Sequence, residues 1–364
     1  MKFQKKYKIA LVGYRLGVGG AERVMANLSI FLDNLGIETH IITVIDQYGY
    51  EYKGKVIATQ KLKVGTGIFN RISRLIALKK IFTKEKYDFI IDFRFRNKPF
   101  QEFLIAKLLY SSRTIFTIHS AALDHYIPLN RFWAQKIYEK SFAIITVSNF
   151  IKDAIEKQYA FDNVQTIYNT VNTEIIDTLA NKKITEAFQD NFILAVGQMD
   201  SNVKQFDHLL EAYHQSNVSL PLVICGEGKL KQKLIALAQN LQIHDKVFFV
   251  GFQENPYKYM AKAKLLVMSS AFEGFPNVLV ESLYCEIPVI SYDCYSGPNE
   301  IISQEYNGLL VENQNKTALA NAIKRLLSDV SLYDYCKANA RKSVLKFDLN
   351  SIGKQWLEVM KIGI

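Results

Sequence analysis

The stretch Lys8–Arg23, KIALVGYRLGVGGAER, decides the fold class. An apolar run, Lys8–Val12, ends in a turn carrying Gly13, Gly17, Gly19 and Gly20, and helical periodicity begins at once over Ala21–Leu35. A buried strand that feeds a helix through a glycine turn is the opening of a parallel βαβ unit. Working outward, the same alternation recurs. Further strands are expected at Glu38–Val44, Asp88–Asp92, Thr114–Ile118, Ala143–Val147 and Val164–Tyr168, with a helix such as Asn149–Gln158 between them. A polar stretch, Asn169–Asn191, interrupts the rhythm. It resumes with Phe192–Val196, Leu222–Cys225, Val247–Val250, Leu265–Met268 and Val289–Ser291. The expectation is an α/β chain of two doubly wound, Rossmann-like domains, residues 1–172 and 173–345, facing across a cleft. A last helical segment, residues 346–364 with Trp356, Leu357 and Met360, is expected to pack back across the boundary.

Composition fits two such domains. At 364 residues the chain exceeds one ordinary core, and no apolar run approaches the roughly 20 residues that cross a bilayer. The lysine-rich start is followed only by Ile9–Val12, too short for a signal-peptide core, so a cytoplasmic protein is expected. Cys225, Cys285, Cys294 and Cys336 form no C-x-x-C pair, which argues against a zinc site or a disulfide framework. The net charge of +10 is unevenly spread: residues 1–172 hold 26 Lys/Arg against 14 Asp/Glu, the remainder 19 against 21. A basic half calls for an anionic partner, with nucleic acid and anionic lipid as the two candidates.

Open parallel sheets bind ligands at the carboxyl ends of their strands, so chemistry is sought in those loops. The Gly13–Gly20 turn lets backbone amides approach an anion at a helix N-terminus; it is equally an ordinary tight turn. Glu22 stands where a dinucleotide fingerprint needs its third glycine, which argues against NAD. The loop Ser269–Glu281, SSAFEGFPNVLVE, is richer. Pro276 suits the first turn of a helix, Gly274 permits an unusual backbone angle, and amides of residues 275–279 can face a diphosphate. Glu273 and Glu281 flank that helix start and suit sugar hydroxyls. Lys204, beyond strand Phe192–Val196 in the loop that also holds Gln198, can neutralise a phosphate. His119 follows strand Thr114–Ile118. A lone lysine is commonly surface decoration and a lone histidine commonly structural.

Together these loops resemble family 4 glycosyltransferases, retaining enzymes of the GT-B fold. Gly19-Gly20-Ala21-Glu22, Thr117-Ile118-His119, Ile167–Asn172, Glu273 through Glu281 as an E-x7-E signature, Ser296–Ile301 and Asn307–Leu310 follow the family's order. The resemblance implies a donor site of Gly19, Gly20, Gln198, Lys204, Glu273, Gly274, Phe275, Pro276, Asn277, Val278 and Glu281. It gives Glu273 the sugar hydroxyls, Glu281 the ribose, and Lys204 the departing diphosphate. Gly20 would approach the donor phosphate, and His119 would line the reaction centre. It implies no metal and no cofactor beyond a UDP- or GDP-linked sugar as co-substrate. One departure stands out: Gln198 replaces the usual arginine, and the following lysine lies six positions on rather than five.

The segment Gly67–Thr83, GIFNRISRLIALKKIFT, sets Ile68, Ile72, Leu75 and Ile76 on one helical face, with Arg71, Arg74, Lys79 and Lys80 largely elsewhere. It reads either as a helix lying on anionic lipid or as an ordinary domain helix with its apolar side inward. The basic half favours a membrane-associated acceptor, such as a lipid-linked glycan at the inner face of the membrane, over nucleic acid, for which no motif is present. Arg94, Arg96 and Lys98, after strand Asp88–Asp92, are candidates to bind an acceptor phosphate. Two other functions share the fold: a sugar-nucleotide epimerase, which needs an acid/base cluster, and a weakly catalytic carbohydrate- or nucleotide-binding protein, suggested by Gln198.

Overall fold

The computed structural model describes residues 6–17, 19–62, 67–111, 113–184 and 191–363, with only the backbone of Ile68 and Arg71. It divides into two compact units, Met1–Thr170 with Leu349–Ile364, and Val171–Asp348.

In the first unit the elements run β1 (Lys8–Gly13), α1 (Gly20–Asn34), β2 (Glu38–Thr43), β3 (Lys55–Ala58), α2 (Gly67–Glu85), β4 (Phe89–Asp92) and α3 (Pro99–Leu108). They continue through β5 (Thr114–Ile118), α4 (Arg131–Tyr138), β6 (Ala143–Thr146), α5 (Asn149–Tyr159) and β7 (Val164–Thr166). The strands form one parallel sheet, ordered β3-β2-β1-β4-β5-β6-β7. Its centre is sealed on both faces, as parallel sheets require: Ile9, Ala10 and Leu11 of β1 are fully buried. Strand β3 escapes the sequence pattern because it is a four-residue edge strand with a lysine at its start.

The second unit runs α6 (Thr173–Ala180), β8 (Ile193–Val196), α7 (Phe206–Ser216), β9 (Leu222–Cys225), α8 (Lys231–Asn240), β10 (Val247–Gly251), α9 (Tyr257–Met260) and β11 (Leu265–Met268). It ends with α10 (Asn277–Tyr284), β12 (Val289–Tyr292), α11 (Pro298–Ile301), β13 (Gly308–Val311), α12 (Lys316–Ser328) and α13 (Val330–Val344). The six strands are parallel, ordered β10-β9-β8-β11-β12-β13. The last helix, α14 (Leu349–Val359), belongs to the first unit and packs on α1, burying Trp356 and Leu357. Both units are Rossmann-like, as the alternation of the sequence implies.

Helix α2 does not turn the expected apolar face inward. Leu78 and Phe82 pack inward on Ala10, Val12, Ile42 and Ile90, while Ile72 and Ile76 are half exposed and Phe69 is 80% exposed. The inward stripe is Leu78 and Phe82 rather than the expected face, of which Ile72 and Ile76 are exposed and Leu75 half-buried, while the side chain of Ile68 lies outside the described residues. No described helix is long and apolar enough to cross a membrane.

Candidate functional site

Each sheet reverses its winding beside its first strand, and ligand crevices form at such switch points. In the second unit the switch lies between β8 and β11, so the loops that follow these two strands flank it. They bring together two residues 69 positions apart: Lys204 Nζ lies 2.6 Å from Glu273 Oε1. The side chains are 27% and 12% exposed, so the pair is sheltered yet reachable. Although its loop is one residue longer than the family pattern, it delivers the ammonium group to Glu273. Gln198, in the same loop, is exposed.

Backbone stitching explains the placement. Ser269 Oγ lies 2.8 Å from the Lys204 carbonyl and 2.9 Å from that of Gln205, sharing its hydrogen between them. The Ala271 amide donates to Val203 O at 2.8 Å. On the far side, the Glu273 amide donates to Tyr295 O and Ser296 Oγ to Gly274 O. Gly297 makes this possible. It sits at φ +100°, and a Cβ there would stand 2.5 Å from Pro276 Cδ and 3.2 Å from Phe275 Cα. Nothing in the sequence pattern gave Ser269 or Gly297 this supporting part.

Phe275 and Pro276 are buried under this crossing, and Asn277 and Val278 are partly exposed at the helix start. Pro276 is the cap of α10, one residue outside the first turn expected for it; helix ends commonly shift by a residue. Pro276 has no side-chain group to cap this N-terminus, and the partial positive charge of the helix start has the same sign as that of Lys204. Glu281 lies in the second turn, only 4% exposed, with Tyr257 Oη 3.4 Å away as donor.

In the first unit the glycine turn is self-satisfied. The Gly17 and Gly19 amides donate to Glu22 Oε2 at 2.8 and 3.3 Å, and Arg15 Nε donates to Glu22 Oε1. The Gly19 amide, expected at the donor site, is therefore taken by a carboxylate of its own chain. Gly20 is exposed at the first position of α1.

His119 stacks on Phe93 at 5.5 Å, and Phe93 in turn lies 6.3 Å from Trp356 of α14. Thr117 Oγ1 donates to Asp92 O, so in the 2.9 Å contact His119 Nε2 is the donor, and Nδ1 is buried. Burial, reinforced by Arg96, pushes the imidazole down to about 3, so it is neutral at physiological pH.

Two of the three basic residues assigned to an acceptor phosphate are turned inward, a second correction. Arg94 pairs with Asp92 at 2.8 Å and with Glu102 at 2.9 Å. Arg96 is fully buried, donating to Tyr138 Oη, Asp92 O, Arg94 O and Thr117 O. Its guanidinium lies 5.0 to 5.7 Å from the rings of Phe116, Tyr126 and Tyr138. Burial opposes ionisation of Asp92, but Arg94 and Arg96 outweigh it and hold the carboxyl below its usual range. Two cations and two anions thus close a neutral buried cluster with no charge left for a ligand. Lys98 alone of the three is exposed. At the opposite edge of this sheet, Glu38, His40 and Glu85 lie close enough to share a metal, but Lys8 Nζ already takes both carboxylates at 2.9 and 2.8 Å.

Residues 18–175 match the family model described as Glycosyltransferase Family 4, and residues 177–343 that described as Glycosyl transferases group 1. The N-acetylgalactosamine-N,N'-diacetylbacillosaminyl-diphospho-undecaprenol 4-alpha-N-acetylgalactosaminyltransferase of Campylobacter jejuni is 32% identical over 368 residues, spanning 97% of this chain and 99% of that one. Among solved structures, a glycosyltransferase from Rickettsia africae matches with a TM-score of 0.81 and 21% identity over 98% of both chains. Anabaena HepE in complex with UDP and glucose matches with a TM-score of 0.79 and 18% identity, over 98% of this chain and 99% of that one. At these identities the structures speak for the fold.

Proposed function

The chain belongs to the family 4 glycosyltransferases, of GT-B fold, and from that premise we propose a retaining enzyme that moves a sugar from a nucleoside-diphosphate donor to a lipid-linked glycan. The observation that carries the donor half is the Lys204–Glu273 pair at the switch point of the second sheet. Lys204 and the α10 amides meet the diphosphate, where charge develops as the glycosidic bond to it breaks. Glu273 accepts from hydroxyls of the donor sugar, and Glu281, beneath it in the helix, from the ribose. Phe275, Pro276, Asn277 and Val278 line the sugar and diphosphate. With this positive charge supplied by the protein, the transfer needs no metal.

In the step itself the acceptor hydroxyl forms a bond to the anomeric carbon on the face the diphosphate leaves. The departing phosphate oxygen takes the hydroxyl proton, so configuration is retained. His119, neutral, serves as a hydrogen-bonding wall for the reacting sugar rather than as a cation. The lipid-linked acceptor is inferred from the relative's printed name and the basic first unit, and with it we infer work at the inner face of the membrane, in surface-glycan assembly.

The test is to offer a panel of UDP- and GDP-sugars with a polyprenyl-diphosphate-linked glycan, in the presence and absence of EDTA. A product whose new linkage keeps the donor's anomeric configuration, formed equally with EDTA, is the expected outcome. An inverted linkage, dependence on metal, or donor binding with no turnover would each overturn the corresponding part.

A further inference from the structure

The first sheet has a switch point of its own, between β1 and β4, and the loops that follow these strands flank a potential ligand crevice. The glycine turn after β1 gives its Gly17 and Gly19 amides to Glu22. The loop after β4, residues 93–98, is built differently and inverts the usual order of burial. Arg96 is fully buried, whereas its neighbour Phe95 is 59% exposed. Single exposed aromatics are ordinary, but this one stands on a buried frame.

Arg96 makes the frame. Its guanidinium is fixed by the carbonyls of Asp92, Arg94 and Thr117 and by Tyr138 Oη, and its amide donates to His125 O at 2.7 Å. Tyr138 Oη in turn donates to Tyr126 O. The loop after β4 is thereby tied to the loop after β5, which carries His119, His125 and Tyr126. The rings follow the same line. Tyr126, 2% exposed, lies 6.4 Å from His119 and 5.0 Å from Phe95, and His125 meets Phe95 edge to face at 5.5 Å. In this series of rings one tyrosine separates Phe95 from His119, a span on the order of a disaccharide. The same two loops expose Asn97, Asp124 and His125.

We propose that Phe95 is the stacking platform for a pyranose ring of the acceptor glycan, and that the buried Asp92–Arg94–Arg96–Glu102 cluster serves to hold it there. A pyranose presents a face of C–H groups, which suits the negative face of an aromatic ring, and a rim of hydroxyls, which needs a few polar groups close by. Phe95 supplies the first, and Asn97, Asp124 and His125 the second. Arg94 and Arg96 are paired with Asp92 and Glu102, so this part of the crevice meets a neutral sugar rather than a phosphate. The platform shares the carboxyl edge of the strands with His119, and a saccharide stacked on it can present a hydroxyl to the reacting sugar there. Function carried by a loop on a rigid scaffold is the common arrangement. The inference rests on the glycan-acceptor reading and deepens it, naming the contact for the acceptor sugar.

The experiment uses the full chain, first in transfer to the polyprenyl-diphosphate-linked glycan. Saturation-transfer NMR follows, with the methyl glycosides of glucose, galactose, N-acetylglucosamine and N-acetylgalactosamine. Phe95→Ala should raise the acceptor KM by roughly three- to tenfold, with donor KM, UDP and GDP affinity and Tm unchanged. Phe95→Trp should keep the parent's acceptor KM, and Phe95→Leu, apolar but without a π face, should behave like Phe95→Ala. At least one glycoside should receive saturation at its ring C–H protons from the parent and lose it with Phe95→Ala. An unchanged acceptor KM, a parental KM in Phe95→Leu, an equal rise in donor KM, or a dimer that Phe95→Ala dissolves would overturn the proposal, the last by making the ring a contact between copies. The two readings fail separately. Transfer that is insensitive to Phe95→Ala refutes the platform and leaves the enzyme standing. Glycoside contact that depends on Phe95, in a protein that binds UDP or GDP without turnover, refutes transfer and leaves the platform standing.

Discussion

Glu273→Gln should tighten the binding of bare UDP or GDP while it impairs sugar transfer. The resting site holds Lys204 and Glu273 at 2.6 Å, with neither side chain more than 27% exposed. A diphosphate arriving at Lys204 must share that cation with the carboxylate and also endure the carboxylate's charge. Two like charges roughly 6 Å apart in a partly screened site repel by about 1–2 kcal/mol. Neutralising Glu273 removes that cost, which corresponds to a roughly 5- to 30-fold gain in nucleotide affinity. A whole donor behaves differently, because its sugar hydroxyls lose a charged acceptor worth about 1.5–3 kcal/mol. Transfer should therefore fall by roughly 10- to 150-fold in kcat/KM. Lys204→Met should do the reverse to the bare nucleotide, weakening it, and the double variant K204M/E273Q should recover part of that loss. Calorimetry with UDP and GDP, beside a transfer assay at the same ionic strength, reads all four proteins. If Glu273→Gln weakens bare nucleotide as much as Lys204→Met does, the carboxylate does not face the phosphate and the argument fails.

Gly297→Ala forces a Cβ to 2.5 Å from Pro276 Cδ at a φ of +100°; strain of about 2 kcal/mol should lower Tm by roughly 4–8 °C. It should also weaken UDP or GDP binding by displacing the start of α10, and a variant that melts and binds like the parent would contradict this. Arg96→Met leaves Asp92 with one cation fewer inside the buried cluster, and should cost about 3 kcal/mol with a Tm drop of roughly 6–12 °C, read by calorimetric melting. His119 carries its own pH signature. Its pKa is about 3 in the folded chain and about 6.5 when unfolded. Between those values the unfolded state alone takes the proton, so stability falls as pH drops below about 6.5, by up to about 1.4 kcal/mol per unit from this group. In urea titrations at pH 7 and pH 5, His119→Gln should lose about 2 kcal/mol less than the parent; equal losses would show that His119 is not held neutral.

The alternation of buried strands with helices was readable because parallel strands covered on both faces must be apolar throughout, so eleven of them announce themselves as short runs. Strands β3 and β13 did not; each is a four-residue strand at a sheet edge. The donor loops were readable for a related reason: the backbone at a switch point needs glycine and proline at set places, and these leave marks in the sequence. What joins those loops leaves no mark, because Ser269 and Ser296 act through hydroxyls that bond to carbonyls distant in sequence.

Charge was the misleading signal. Arg94, Arg96 and Lys98 look alike as a basic run, yet whether a cation faces a ligand or a core depends on where its partners fall. Asp92 stands two and four residues before the arginines, Glu102 one helical turn into α3, and Tyr138 much later in α4. Only the fold reveals that these side chains meet. The same holds for α2, where a helix of many apolar residues buries one stripe and shows another, and periodicity alone does not say which.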